Sequence, residues 1–133
     1  MLFRRSQPKS LPTSPQNYPS GACVRSESGE YYIKGTRRYR IISGRVRASW
    51  GFPRVIETTD AALANYKIAG RVGFRDSTLI YSISDGKIYL VSDNKKRHVV
   101  SPDVLERLGA TVDDCITVSD AELRLHETGE PIA

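Results

Sequence analysis

The chain has 133 residues with 20 Lys and Arg, 15 Asp and Glu and 2 His, a formal net charge of +5. Residues 1–50 hold 10 basic and 2 acidic side chains and residues 51–133 hold 10 and 13, so a +8 front precedes a −3 back. The length excludes a large multidomain enzyme, and no run approaches the roughly 18–20 apolar residues that a membrane span needs.

The start, Met1-Leu2-Phe3-Arg4-Arg5-Ser6-Gln7-Pro8, has the basic residues of a secretory signal without its apolar segment, so export by the general secretory route is not expected. Residues 1–21 hold Pro8, Pro12, Pro15 and Pro19 among Ser, Thr, Gln and Lys. Such a stretch forms neither helix nor ladder and buries little surface, which predicts an extended N-terminal arm. Arg4, Arg5, Pro8, Lys9, Pro12, Pro15 and Tyr18 are its candidate partner-binding residues.

Beyond the arm the chain repeats itself. Gly29-Glu30-Tyr31-Tyr32-Ile33 and Arg37-Arg38-Tyr39-Arg40-Ile41-Ile42-Ser43 line up with Gly86-Lys87-Ile88-Tyr89-Leu90 and Lys95-Lys96-Arg97-His98-Val99-Val100-Ser101. Trp50-Gly51 then falls on Leu108-Gly109, and Thr59-Asp60-Ala61-Ala62-Leu63 on Ser119-Asp120-Ala121-Glu122-Leu123. The expected organisation is a basic module over 22–74, a degenerate first copy, and a second copy over 75–133.

In the first copy, Ser28-Gly29 and Gly35 mark turns between strand-like runs. Ser43-Gly44 precedes a helical run ending at Trp50, and Thr59 offers a cap without a Glu partner. The second copy is punctuated more strongly. Thr78-Leu79-Ile80-Tyr81-Ser82-Ile83 and Lys87-Ile88-Tyr89-Leu90-Val91 flank Asp85-Gly86, a tight-hairpin signal. The turn Ser92-Asp93-Asn94 leads into Arg97-His98-Val99-Val100. Ser101-Pro102 opens a helix that stops at Gly109, Cys115-Ile116-Thr117-Val118 reads as a strand, and Ser119-Asp120-Ala121-Glu122 is a capping box opening a final helix. The fold class expected is α+β: two tandem small modules, each a three-stranded antiparallel meander with one or two short helices, behind the arm.

Catalytic chemistry is thin. The chain has no nucleophile elbow, phosphate-binding loop or His-Glu-x-x-His, so no catalytic residue, metal ligand or cofactor is assigned and a non-enzymatic role is expected. His98 lies among basic residues with no carboxylate partner identifiable from spacing. His126 reads as a surface residue, and Asp113-Asp114 as a solvated turn. Cys23 and Cys115 are far apart, with neither metal-like spacing nor a disulfide framework around them, and read as small apolar residues.

The basic residues carry more information. Arg37, Arg38, Arg40, Arg45 and Arg47, with Tyr31, Tyr32, Tyr39 and Trp50 interleaved, offer an arginine and aromatic face that suits phosphates and bases. Strand alternation argues against one face, placing Arg38 and Arg40 on one side and Arg37 and Tyr39 on the other. Arg and Tyr are also enriched at protein interfaces, where an acidic neighbour serves as well as a phosphate.

The second copy, on Tyr89-Leu90-Val91, Lys95-Lys96-Arg97-His98-Val99, Ser101-Pro102-Asp103-Val104, Leu108-Gly109, Asp113-Asp114, Val118-Ser119-Asp120-Ala121-Glu122-Leu123 and Gly129-Glu130-Pro131-Ile132, resembles a short module of actinobacterial cell-surface proteins and of the minor tail proteins of their bacteriophages. The first copy departs from it, with Arg40 in place of the histidine and no Ser-Pro start. The resemblance brings no firm activity, but it implies a context. Phage structural proteins are assembled in the host cytoplasm and need no export signal, so the expectation is a virion component of the tail. Its partners would be other virion structural proteins in a symmetric assembly, with the host cell envelope as a further candidate. Nucleic-acid binding through the first module and cell-wall glycan binding are the alternatives. Tyr89, Lys96, Arg97 and His98 are the candidate ligand or interface residues of the second copy.

Overall fold

A computed structural model describes residues 10–133. The strands β1 (Cys23–Ser26), β2 (Gly29–Lys34) and β3 (Arg37–Ile41) form an antiparallel meander. Its tight turns are Glu27-Ser28 and Gly35-Thr36, the second using the positive φ of Gly35, 61°. Helix α1 (Gly44–Trp50) follows, capped by Ser43, whose hydroxyl accepts the Val46 N–H at 3.2 Å. It ends at Gly51, whose left-handed φ of 63° lets its N–H reach the Ala48 carbonyl.

The expected meander is only the middle of each sheet. Strand β4 (Ile56–Glu57) returns parallel to β1, and β5 (Lys67–Arg71) parallel to β3, making a mixed five-stranded sheet of order β4-β1-β2-β3-β5. The chain between β3 and β4, and again between β4 and β5, is long enough to carry a strand back in its original direction, which a hairpin cannot do. These flanking strands are short and carry no apolar alternation, as Lys67-Ile68-Ala69-Gly70-Arg71 shows, so their pattern is invisible in sequence.

The second half is wired in the same order. Strands β6 (Leu79–Ser82), β7 (Lys87–Ser92) and β8 (Lys95–Val99) form the meander, followed by α2 (Pro102–Arg107) and a 3-10 turn at Val112–Asp114. Then β9 (Ile116–Val118) pairs parallel with β6, and after α3 (Asp120–Leu123), β10 (Glu127–Thr128) pairs parallel with β8. The sheet order is β10-β8-β7-β6-β9. The Asp93-Asn94 turn places both residues at positive φ, 51° and 61°, as a two-residue hairpin requires. At the Asp85-Gly86 signal the connection is longer than a tight two-residue turn, spanning 83–86 and closed by the Gly86 N–H on the Ser82 carbonyl.

Strand alternation gives each sheet two apolar faces. In the first, Val24, Tyr31 and Ile33 face Leu63 and Tyr66 from the turns at 59–66. On the opposite face, Cys23 and Ile41 pack with Val46 of α1. In the second, Leu79, Ile88, Leu90 and Val99 face Val104 and Leu105 of α2. The remaining face, with Ile80, Tyr89, Val91 and Val118, joins the α1 face of the first sheet in one shared core, together with Trp50, Phe74 and Leu123. The two halves therefore meet through the α1 face of the first sheet and the α3 face of the second.

Candidate interaction surfaces

The seam between the halves is held by specific polar bonds. The Glu122 carboxylate, 2 % exposed, accepts the Ser119 N–H at 2.8 Å, the Ser43 hydroxyl at 2.5 Å and an Arg45 N–H at 3.3 Å. It thus completes the capping box of α3 and grips the N-cap of α1 from the other half. Burial pushes this carboxyl up, but the Ser119 and Ser43 donors, helped by Arg45, hold it below the usual carboxylate range. The Trp50 indole N–H donates to the Gly73 carbonyl at 2.8 Å, and the Arg75 N–H to the Ser49 hydroxyl at 3.2 Å.

His126 is 2 % exposed, which corrects its reading as a surface residue. Its Nε2 accepts the Phe74 N–H at 3.0 Å, which requires the neutral tautomer with the proton on Nδ1, donated to the Asn94 carbonyl at 2.8 Å. Burial is the main cause that keeps its pKa below the ordinary imidazole value. Tyr66 does the same work in the first half, its hydroxyl accepting the Tyr18 N–H at 2.6 Å. The alignment that sets Leu63 on Leu123 also sets Tyr66 on His126, and that was the signal available for an inward histidine.

Of the arm residues, Arg4, Arg5, Pro8 and Lys9 lie outside the described residues. Pro12 and Tyr18 are bound to the chain's own first half. The Pro12 carbonyl accepts the Thr59 hydroxyl at 2.5 Å, the Gln16 N–H reaches the Ala62 carbonyl at 2.9 Å, and the Tyr18 hydroxyl meets that of Thr58 at 2.6 Å. Pro15 is exposed.

The arginine and aromatic face is not one surface. Arg38 and Arg40 lie over the Tyr31 ring, 4.7 and 5.3 Å from its centroid, and Arg40 donates to the Ser28 carbonyl at 2.9 Å. Nε and Nη1 of Arg38 are buried without a hydrogen-bond partner among the described residues. Arg47 is paired with Glu30 at 2.7 Å and Arg45 with Glu122 at 3.3 Å. Arg37 is exposed at the start of β3, while Tyr39 stands opposite Tyr32. Tyr32, Tyr39 and Trp50 line a groove of about 580 Å³ between the halves, with Arg71, Arg75 and Asp93 on its rim. Asp76 shapes this groove by accepting the Asp93 and Asn94 N–H groups at 3.2 and 3.1 Å.

In the second half, Tyr89 is buried and donates to Asp85 at 2.7 Å. Burial first, then this carboxylate, pushes its phenol up to about 12. His98 stands opposite Tyr89, ring centroids 5.9 Å apart. The Lys96 ammonium donates to the Leu123 and His126 carbonyls at 3.2 and 2.9 Å, and Arg97 to the Glu130 carbonyl at 2.8 Å. Lys96 and Arg97 therefore pin the C-terminal segment. Asp114 accepts the Thr111 N–H at 2.7 Å, as a turn former does. Both thiols are unpaired: Cys23 is buried, with burial raising its pKa to about 11, and Cys115 is half-buried, raised by burial and by Asp114.

No family model, curated protein or solved structure matches this chain.

Proposed function

We propose that this chain is a non-enzymatic structural component of a bacteriophage virion, a minor tail protein built of two tandem copies of one unit and anchored by its N-terminal arm. One observation carries the reading: the chain enters its fold as a strap, bound at Pro12, Gln16 and Tyr18 along the first half. The chemistry of the polar groups of the second half supports it. Glu122, His126, Lys96 and Tyr89 are each taken up by bonds that hold the fold, a use that suits a building block. The likeness of the second half to the phage and cell-surface module supplies the context.

In this reading the arm, with Arg4, Arg5 and Lys9, pairs with acidic groups of a neighbouring virion protein. Assembly occurs in the host cytoplasm, and the second half faces another subunit or the cell envelope. The test is deletion of residues 2–9, which spares the strap. The expected result is a folded protein lost from purified particles, measured by quantitative mass spectrometry; incorporation at normal stoichiometry sinks the anchoring role.

A second reading, cell-wall glycan binding, is favoured by the groove that carries Tyr32, Tyr39 and Trp50. A pull-down on purified cell walls that Tyr39→Ala does not weaken removes it. Nucleic-acid binding is the weaker alternative, since Arg45 and Arg47 are already paired with carboxylates.

A further inference from the structure

The two halves present corresponding faces, and of the two long-helix faces only that of α1 is covered by the other half. Counted from the helix caps Ser43 and Ser101, Ile42 corresponds to Val100 and Trp50 to Leu108. Ile42 and Trp50 pack into the shared core. Val100 and Leu108 are 43 % and 42 % exposed, and Val112, four residues beyond Leu108 in the chain, is 64 % exposed. Val100 and Val112 border one hollow of about 250 Å³, floored by Ile88, Val99 and Leu105. Exposed apolar side chains gathered at the end of a stack mark a surface built to be covered.

The internal seam narrows what covers it. If a second copy offered its 59–66 face, as the second half offers α3 to α1, the contact would be heterologous and chains would add without end. That face is already occupied. Ala62 holds the place that Glu122 holds in the second half, and residues 12–18 lie on it through Thr59, Ala62 and Tyr66. The start of the stack is capped by the chain's own strap, so a second copy has its α2 face left to offer. The charges of α2 fit that arrangement. Asp103 lies in its first turn and Arg107 in its last. Two α2 helices run antiparallel about a two-fold axis set Asp103 of each near Arg107 of the other, twice.

We propose that the α2 face, with Val100, Leu108 and Val112 at its centre, closes a two-fold dimer of this chain through antiparallel α2 helices. The experiment is light scattering on the full chain during size exclusion, from micromolar to millimolar loading. The expected mass is that of two chains. Leu108→Glu, at an exposed position, should give the mass of one chain with an unchanged circular dichroism spectrum. Arg107→Asp should also halve the mass, and the double variant Asp103→Arg with Arg107→Asp should restore the dimer, since the pairing is only exchanged. A wild-type monomer at every loading overturns the proposal. So does a mass that keeps growing with concentration, or a dimer that survives Leu108→Glu.

Discussion

Glu122 shows how much one side chain is asked to do. Its carboxylate serves donors that belong to α3 and to the cap of α1, and it does so out of water. Glu122→Ala leaves the Ser43 hydroxyl and the Ser119 N–H without that acceptor and is expected to cost about 2–4 kcal/mol in urea unfolding. Its folded pKa lies below the usual value, so its contribution is present above about pH 4.5 and is lost as pH falls through the folded value. His126 acts over a higher window. Being held neutral below its ordinary pKa of about 6.5, it contributes fully above that pH, and stability falls as the unfolded chain takes up the proton below it. Denaturation midpoints measured from pH 7.5 to 5.5 should decline for the wild type. In His126→Tyr, which installs the residue that the first half uses at Tyr66, the decline over that window should disappear.

At the scale of elements, local chemistry explains what the sequence discloses. The caps at Ser43, Ser101 and Ser119 and the turns at Gly35 and Asp93-Asn94 act over two to four residues, and each is where its pattern places it. The parallel strands β4, β5 and β10 escape because they are short and their partners are far along the chain. The reach of Glu122 to Ser43, 79 residues away, escapes for the same reason, although its capping box does not. The Asp93-Asn94 turn gives a direct check. Asn94 sits at φ 61° with its side chain exposed, so Asn94→Gly should hold or raise stability by up to about 1 kcal/mol. Asn94→Val, a β-branched residue forced to positive φ, should cost about 1–3 kcal/mol. Equal thermal midpoints for the two variants would contradict this account.

At the scale of the whole molecule, the halves share one core, and that governs how the protein unfolds. Cys23, Ile41 and Val46 belong to the same buried cluster as Ile80, Val91 and Val118, so neither half keeps its apolar surface covered alone. Unfolding should therefore be a single transition. Trp50, the one tryptophan, belongs to the first half and donates across the seam to Gly73. Its fluorescence should change at the same denaturant concentration as the far-ultraviolet circular dichroism of both sheets. Two separated midpoints would mean that the halves are independent. The internal repeat and the basic front of the sequence point to two units, but nothing in composition announced the common core, because the residues that form it are ordinary strand residues in each half.

The placement of the two thiols turns this cooperativity into something that can be timed. Cys115 sits half-buried beside β9 at the rim of the second sheet, whereas Cys23 lies in β1 at the heart of the shared cluster. A thiol reagent in excess would tag Cys115 at the pace of edge fraying and Cys23 only at the pace of global opening. The chain thus carries two clocks, one for the breathing of its margin and one for the lifetime of the whole.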